Sequence, residues 1–288
     1  MNPSTSIANH PYQTRKIAAC CLFALMALFL ISCALPGQRP FAAATYTPTS
    51  TPAVTPSPTA VPYSYTPARP LLAKVVTTGP IYVTGDATVP DAALNAAGAI
   101  LAAMLAHRPD LVEALRREGA FIAVAPRDKK ICSLPYFSDE SQPTCDRFGY
   151  GGAGATLGNP VTACGERNLL KEPDDPYLRG RGPYSQNICL HELAHMVMNV
   201  ALSYEVQKQI YDRYTAAQVE KRWEGDYADT DSKEFWAVMS QFYFWAGPSA
   251  PYSEAFVHVA NGPQALRKYD PQTFALVDSI YQGSADLR

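Results

Sequence analysis

The chain has 288 residues, and 24 lysines and arginines against 26 aspartates and glutamates give it a formal net charge of −2. It contains no basic run of the kind that binds nucleic acid, so a nucleic-acid partner is not expected. No segment repeats along the chain, which excludes a repeat architecture.

The first 32 residues have the pattern of a signal peptide. Two basic residues, Arg15 and Lys16, precede an apolar run over 17–31 that is short for a membrane span. The run ends in Leu-Ile-Ser-Cys, which resembles a bacterial lipobox whose cysteine receives a lipid. We predict a lipoprotein signal peptide over 1–32 and an extracytoplasmic chain that is lipid-anchored to the bacterial cell membrane through Cys33. Ordinary secretion and an uncleaved anchor are the alternatives.

Residues 33–70 are predicted to form a disordered tether. Positions 36–70 contain nine prolines and seven threonines with almost no charge. This composition cannot bury a core and favours extended, polyproline-like conformations. The tether would hold the rest of the chain away from the membrane.

Residues 71–288 are long enough for one domain with a sizeable core. The first part is mixed, with short strands expected within 75–84, helices over 91–107 and 109–118, and a buried strand over 121–125. Glycine, proline and weak periodicity predict a loop-rich region over 126–183. Helices are then expected over 187–203, 204–223, 231–246 and 271–282.

Four cysteines fall in this domain, at Cys132, Cys145, Cys164 and Cys189. They form no CxxC pair, and in an exported protein disulfides are favoured over a cysteine metal site. Three pairings are possible, and the local one joins Cys132 to Cys145 and Cys164 to Cys189. The second bridge would attach the segment after Cys164 to the start of the next helix.

His191, Glu192 and His195 form an HExxH pattern within the helix predicted over 187–203. Residues four apart point to the same side of an α-helix, so both imidazoles can bind one metal ion. Zinc held by three protein ligands keeps a position for water, and Glu192 can take a proton as that water attacks a carbonyl. Two histidines that bind no metal are the alternative. The flanking residues are apolar on all sides, and a polar triplet in a buried helix favours the zinc site.

A third ligand is required, and the sequence offers several candidates. The chain does not contain the longer pattern HExxHxxGxxH, because neither the glycine nor the third histidine of that pattern follows His195. Glu234 opens the next apolar helix and is one candidate, although Asp231 and Glu234 could instead form a capping box without any metal. Glu220, on a polar helix, and His258, isolated among apolar residues, are further candidates.

The spacing of seven residues from Tyr227 to Glu234, downstream of the HExxH helix, resembles the catalytic domain of anthrax lethal factor and its relatives, including secreted Pro-Pro endopeptidases. The resemblance implies that His191, His195 and Glu234 bind one zinc ion. It further implies that Glu192 is the general base and that the Tyr227 hydroxyl stabilises the oxyanion, a role that suits a phenol near the open zinc position. In the alternative, Tyr227 only packs or caps a loop.

One position departs from that family. Val238 stands where many relatives have a second acidic residue, four residues after the ligand glutamate. The sequence therefore does not identify the side chain that would hydrogen-bond to the metal ligands. Peptide substrates of such enzymes often add to a sheet edge, and 150–157 is the segment expected near that edge.

These features predict an α+β, zincin-like metalloprotease domain, with a small mixed N-terminal lobe that holds a short sheet and a mainly helical C-terminal lobe. The expected function is hydrolysis of internal peptide bonds in a protein or peptide substrate, with one Zn²⁺ ion as cofactor. Two alternatives remain, a zinc hydrolase acting on a non-peptide amide such as cell-wall material, and a surface binding protein with a degenerate site.

Overall fold

A computed structural model of the chain describes residues 65–138, 149, 151–175, 186–246 and 260–287. The predicted signal peptide, Cys33, most of the tether, Cys145 and His258 lie outside the described residues. Within the described ranges, no helix is both long enough and apolar enough to cross a bilayer.

The N-terminal part of the described chain contains a mixed sheet of five strands. In chain order the strands are β1 (Lys74–Val76), β2 (Val83–Gly85), β3 (Phe121–Ala125), β4 (Gly152–Ala153) and β5 (Val161–Gly165). Their order across the sheet is β1-β2-β3-β5-β4. The central strands β2, β3 and β5 are parallel, and β1 and β4 run antiparallel to their neighbours at the two ends of this order.

Both faces of the central strands are buried, because core clusters pack on either side of them. Ile122 and Val124 belong to the main core under the helices. Phe121, Ala123 and Ala125 point to a smaller cluster on the opposite face. Burial on two sides explains why β3 is a continuous apolar run rather than an alternating one.

Helices surround the main core. In chain order they are α1 (Asp91–Met104), α2 (Pro109–Arg117), α3 (Glu166–Leu169), α4 (Ile188–Met196), α5 (Tyr204–Val219), α6 (Ser232–Tyr243), α7 (Pro263–Tyr269) and α8 (Pro271–Tyr281). α4 continues into a π-helical turn over Val197–Ala201, and a short 3-10 helix over Tyr227–Asp229 precedes α6. A further 3-10 helix covers Ile131–Ser133.

The predicted α+β architecture is confirmed, with a sheet in the N-terminal part and a mostly helical C-terminal part. The prediction that 126–183 is loop-rich is wrong for β4, β5 and α3, and α7 was not predicted at all. β5 consists mostly of small residues without a clear alternation, and its parallel pairing with β3 makes it a strand.

The C-terminal helices pack around α6, whose residues from Phe235 to Tyr243 are all buried. Trp236 Nε1 donates a hydrogen bond to the carbonyl oxygen of Ala194 over 2.8 Å, which fixes α6 against α4. A buried ion pair ties α5 to the start of α8, since Arg213 Nη2 lies 3.1 Å from Asp270 Oδ2. Helix α6 therefore forms a well-supported wall beside α4.

Candidate metal centre

Two histidines share one face of α4. The helix begins at Asn187, whose side-chain oxygen accepts a hydrogen bond from the backbone N–H of Leu190 over 3.0 Å. His191 and His195 follow one turn apart, with ring centroids separated by 4.8 Å and Nε2 atoms by 3.2 Å. Both side chains are buried, and their Nε2 atoms point towards a common position.

Glu234 reaches the same position from α6. Asp231 caps this helix, because its side-chain oxygen accepts hydrogen bonds from the backbone N–H groups of Lys233 and Glu234 over 2.8 Å and 2.9 Å. The Glu234 carboxylate turns to the histidines, with Oε2 lying 2.9 Å from His191 Nε2 and 3.6 Å from His195 Nε2. Asp231 therefore caps the helix, and the Glu234 side chain lies where a metal ligand would be.

This donor set fits zinc. Two imidazole nitrogens and one carboxylate oxygen, all within 4.8 Å of one another, are the ligand types of catalytic zinc sites with three protein ligands. Around a tetrahedral zinc ion with bonds of about 2.0–2.1 Å, ligand atoms lie roughly 3.3 Å apart. The separations of 2.9, 3.2 and 3.6 Å among the three atoms lie on both sides of that value.

The charges of these groups also favour a cation. Burial by itself raises the pKa of Glu234, but hydrogen bonds from His191 and His195 outweigh it and hold the pKa well below its usual range. Burial lowers the pKa of His191, yet the hydrogen bond to Glu234 and the nearby Glu192 carboxylate raise that pKa above its ordinary value overall. Surroundings that favour positive charge on an imidazole also favour a bound metal ion.

Glu192 and His195 both lie against the segment that contains β4. A Cβ atom built on Gly152 of β4 would lie 2.4 Å from Glu192 Cγ, and one built on Gly154 would lie 2.5 Å from His195 Cβ. Since these distances are shorter than any real Cβ contact, only glycine allows the strand to run this close to α4. Burial raises the pKa of Glu192.

Gln241 is a member of the site that sequence reasoning missed. Its Oε1 lies 3.0 Å from His191 Nδ1, and its Nε2 donates to the carbonyl oxygen of Asn187 over 3.1 Å. It follows Glu234 by two helical turns on α6. This spacing is the sequence signal that puts both residues on the same face of the helix. Val238, one turn after Glu234, is fully buried in the apolar core.

Tyr227 lies beside His191, with ring centroids 6.1 Å apart and the rings tilted by 34°. The 3-10 helix that carries it is held by Asp226, whose side chain accepts a hydrogen bond from the backbone N–H of Ala228 over 2.7 Å. The structure thus brings Tyr227 close to the histidine pair.

Glu220 is not part of this cluster. Its carboxylate accepts two hydrogen bonds from Arg213, each of 3.0 Å, and one of 3.1 Å from Arg222. Those guanidinium groups lower the pKa of Glu220 to about 2. Glu220 belongs to the ion-pair network that joins α5 to α8.

A disulfide links the sheet to the histidine helix. It joins Cys164 of β5 to Cys189 in the first turn of α4, which confirms the predicted second bridge. Cys132 is also disulfide-bonded, and its predicted partner Cys145 lies outside the described residues. Cys189 precedes His191 by two residues, so the crosslink holds α4 at its start.

No protein-family model matches the chain, and no curated protein is similar to it. Among solved structures, the chain is similar to the Pro-Pro endopeptidase PPEP-2 from Paenibacillus alvei, with 15% sequence identity and a TM-score of 0.41. The similarity covers 69% of this chain and 97% of that one.

Proposed function

We propose that this chain is a zinc-dependent endopeptidase. The observation that carries the proposal is the meeting of His191 Nε2, His195 Nε2 and Glu234 Oε2 within 4.8 Å of one another. These atoms come from two helices that Trp236 fixes together, and the general-base candidate Glu192 is a neighbour of His191 in the chain. His191, His195 and Glu234 would hold one Zn²⁺ ion.

Zinc at this position would lower the pKa of a water molecule and polarise a substrate carbonyl. Glu192 accepts the proton as the water oxygen attacks the carbonyl carbon, and then donates it to the amide nitrogen as the C–N bond breaks. The raised pKa of Glu192 suits the first of these steps, because burial makes its carboxylate a stronger base towards the proton of the attacking water.

Tyr227 is proposed to donate a hydrogen bond from its hydroxyl to the carbonyl oxygen on which negative charge develops. Support comes from its ring lying beside that of the buried His191. A preorganised donor of this kind contributes about 3–4 kcal/mol to transition-state stabilisation in other hydrolases.

The position of β4 favours a peptide as the substrate. Within the described residues, β4 pairs with β5 on one side. Gly152 of β4 lies against Glu192, and Gly154, just after the strand, lies against His195. An extended peptide that added to the other side of β4 would have its backbone next to the proposed zinc position.

The test is turnover of a random peptide library by the purified chain, compared with its Glu192→Gln variant. We expect the variant to retain zinc and to lose about 10²- to 10⁴-fold in turnover, because the amide cannot accept the proton. Glu113→Gln, an exposed change on α2, is the matched control and should cleave like the wild type. Unchanged cleavage by Glu192→Gln, or a zinc-loaded wild type that binds peptides without cleaving them, would contradict the proposal.

We also propose that the domain acts outside the cytoplasm, anchored through a lipid on Cys33. The lipobox-like sequence supports this, and the Cys164–Cys189 disulfide suits an oxidising compartment. In a bacterial host, Cys33→Ser should abolish incorporation of a labelled fatty acid. A fatty-acid label that persists in the variant would exclude Cys33 as the anchor.

A further inference from the structure

We propose that Gln241 is a positioning residue, an inference that rests on the proposed zinc site. Gln241 holds the His191 ring so that Nε2 of the ring is directed at the metal. The separation of 3.0 Å between Gln241 Oε1 and His191 Nδ1 places an acceptor on the ring nitrogen that faces away from Glu234. Gln241 is fully buried, so water does not compete for this contact.

The orientation of the Gln241 amide follows from its second hydrogen bond. Its nitrogen must face the carbonyl oxygen of Asn187, which can only accept, and the donor–acceptor distance is 3.1 Å. Its oxygen is therefore the atom that faces His191. An acceptor at that position requires the hydrogen of a neutral His191 ring to sit on Nδ1, which leaves the lone pair on Nε2 for a metal ion.

A short chain of contacts supports this amide. Asn187 is the N-cap of α4, and its side-chain nitrogen donates to the carbonyl oxygen of Leu287 over 3.3 Å. Gln241 therefore bonds both to the first residue of the histidine helix and to a histidine one turn further along. A hydrogen-bond partner on the far ring nitrogen is the usual way in which proteins orient a metal-bound histidine. The residue one turn closer to Glu234, Val238, has no polar group to offer.

The experiment measures the zinc affinity of the purified full chain by competition with a chelator. Gln241→Leu removes the acceptor at similar volume and should weaken zinc binding about 10- to 100-fold. Gln241→Glu keeps an oxygen facing Nδ1 but loses the donor to the Asn187 carbonyl oxygen, and it should still bind zinc more tightly than Gln241→Leu, which loses both contacts. Ser240→Ala is the matched control, because Ser240 is equally buried on α6 but bonds to Trp236 and Tyr281 instead of the site. Its zinc affinity should stay within about twofold of the wild type, well below the effect of losing an orienting partner.

A folded Gln241→Leu variant with wild-type zinc affinity would overturn the inference while leaving the proposed enzyme intact. A wild type without zinc affinity would overturn both. Should the leucine variant fail to fold, the wild-type protein loaded with zinc still decides the matter. Its ¹H–¹⁵N spectrum should show a proton on His191 Nδ1 that exchanges slowly because Gln241 Oε1 accepts it. Rapid exchange of that proton with solvent would refute the assignment.

Discussion

The backbone and the side chain of Glu234 have different partners. Asp231 accepts hydrogen bonds from the first N–H groups of α6, including that of Glu234 itself. This leaves the Glu234 carboxylate to contact His191 and His195. The capping interpretation and the ligand interpretation of the sequence are therefore compatible, because they concern different atoms.

Two substitutions should separate these roles. Glu234→Gln keeps the cap but replaces a charged oxygen ligand, and we expect zinc affinity to fall by more than the ~10- to 100-fold that an orienting partner contributes. Asp231→Ala should instead lower the free energy of unfolding by about 1 kcal/mol through loss of the cap. The measurements are zinc competition and urea unfolding of the metal-free protein. Wild-type zinc affinity in Glu234→Gln would remove Glu234 from the ligand set.

The candidate site could be predicted in part because helix periodicity is local. The spacing of His191 and His195 fixes their common face without knowledge of the fold. The same periodicity relates Gln241 to Glu234 on α6, but it cannot relate Gln241 to His191, which lies fifty residues earlier. Only the packing of α6 against α4 brings the two side chains together.

At the scale of elements, the contact between β4 and α4 determines how close the sheet comes to the site. Gly152 faces Glu192, and Gly154, two residues on, faces His195. Alternate residues of an extended strand point the same way, so two glycines so spaced leave one side of the strand flat. Asn199, in the turn after α4, donates to the carbonyl oxygen of Ala155 over 2.9 Å and fixes the end of this contact.

Gly154→Ala tests this contact. The new Cβ would lie 2.5 Å from His195 Cβ, an atom fixed to its backbone, so the strand or the helix must move. We expect a loss of about 1–3 kcal/mol in the free energy of unfolding, as for other overpacked cores, together with weaker zinc binding. The control is Gly158→Ala, since nothing lies within 4 Å of a Cβ there. Equal zinc affinity and stability in the two variants would show that the strand contact does not constrain His195.

At the scale of the whole molecule, the described residues form an α+β fold in which α4 lies between the sheet and the C-terminal helices. The position of α4 could be expected from the order of the predicted elements. The pairing of β5 with β3 could not be expected, because the two strands are distant in sequence. On the helical side, the buried Arg213–Asp270 pair holds α5 and α8 together at a distance from the metal ligands. Arg213 and Asp270 lie more than fifty residues apart in the chain. Sequence periodicity, which is local, does not predict that they pair.

The bond between Cys164 and Cys189 gives the fold a chemical dependence on where it matures. It closes a separation of 25 residues and joins the strand beside β4 to the helix carrying both imidazoles. Cytosolic reductants keep most thiols reduced, so a newly made chain in the cytosol would lack the covalent bond between this strand and α4. With the export proposed above, the strand and the helix would be crosslinked only after the chain has left the cytoplasm.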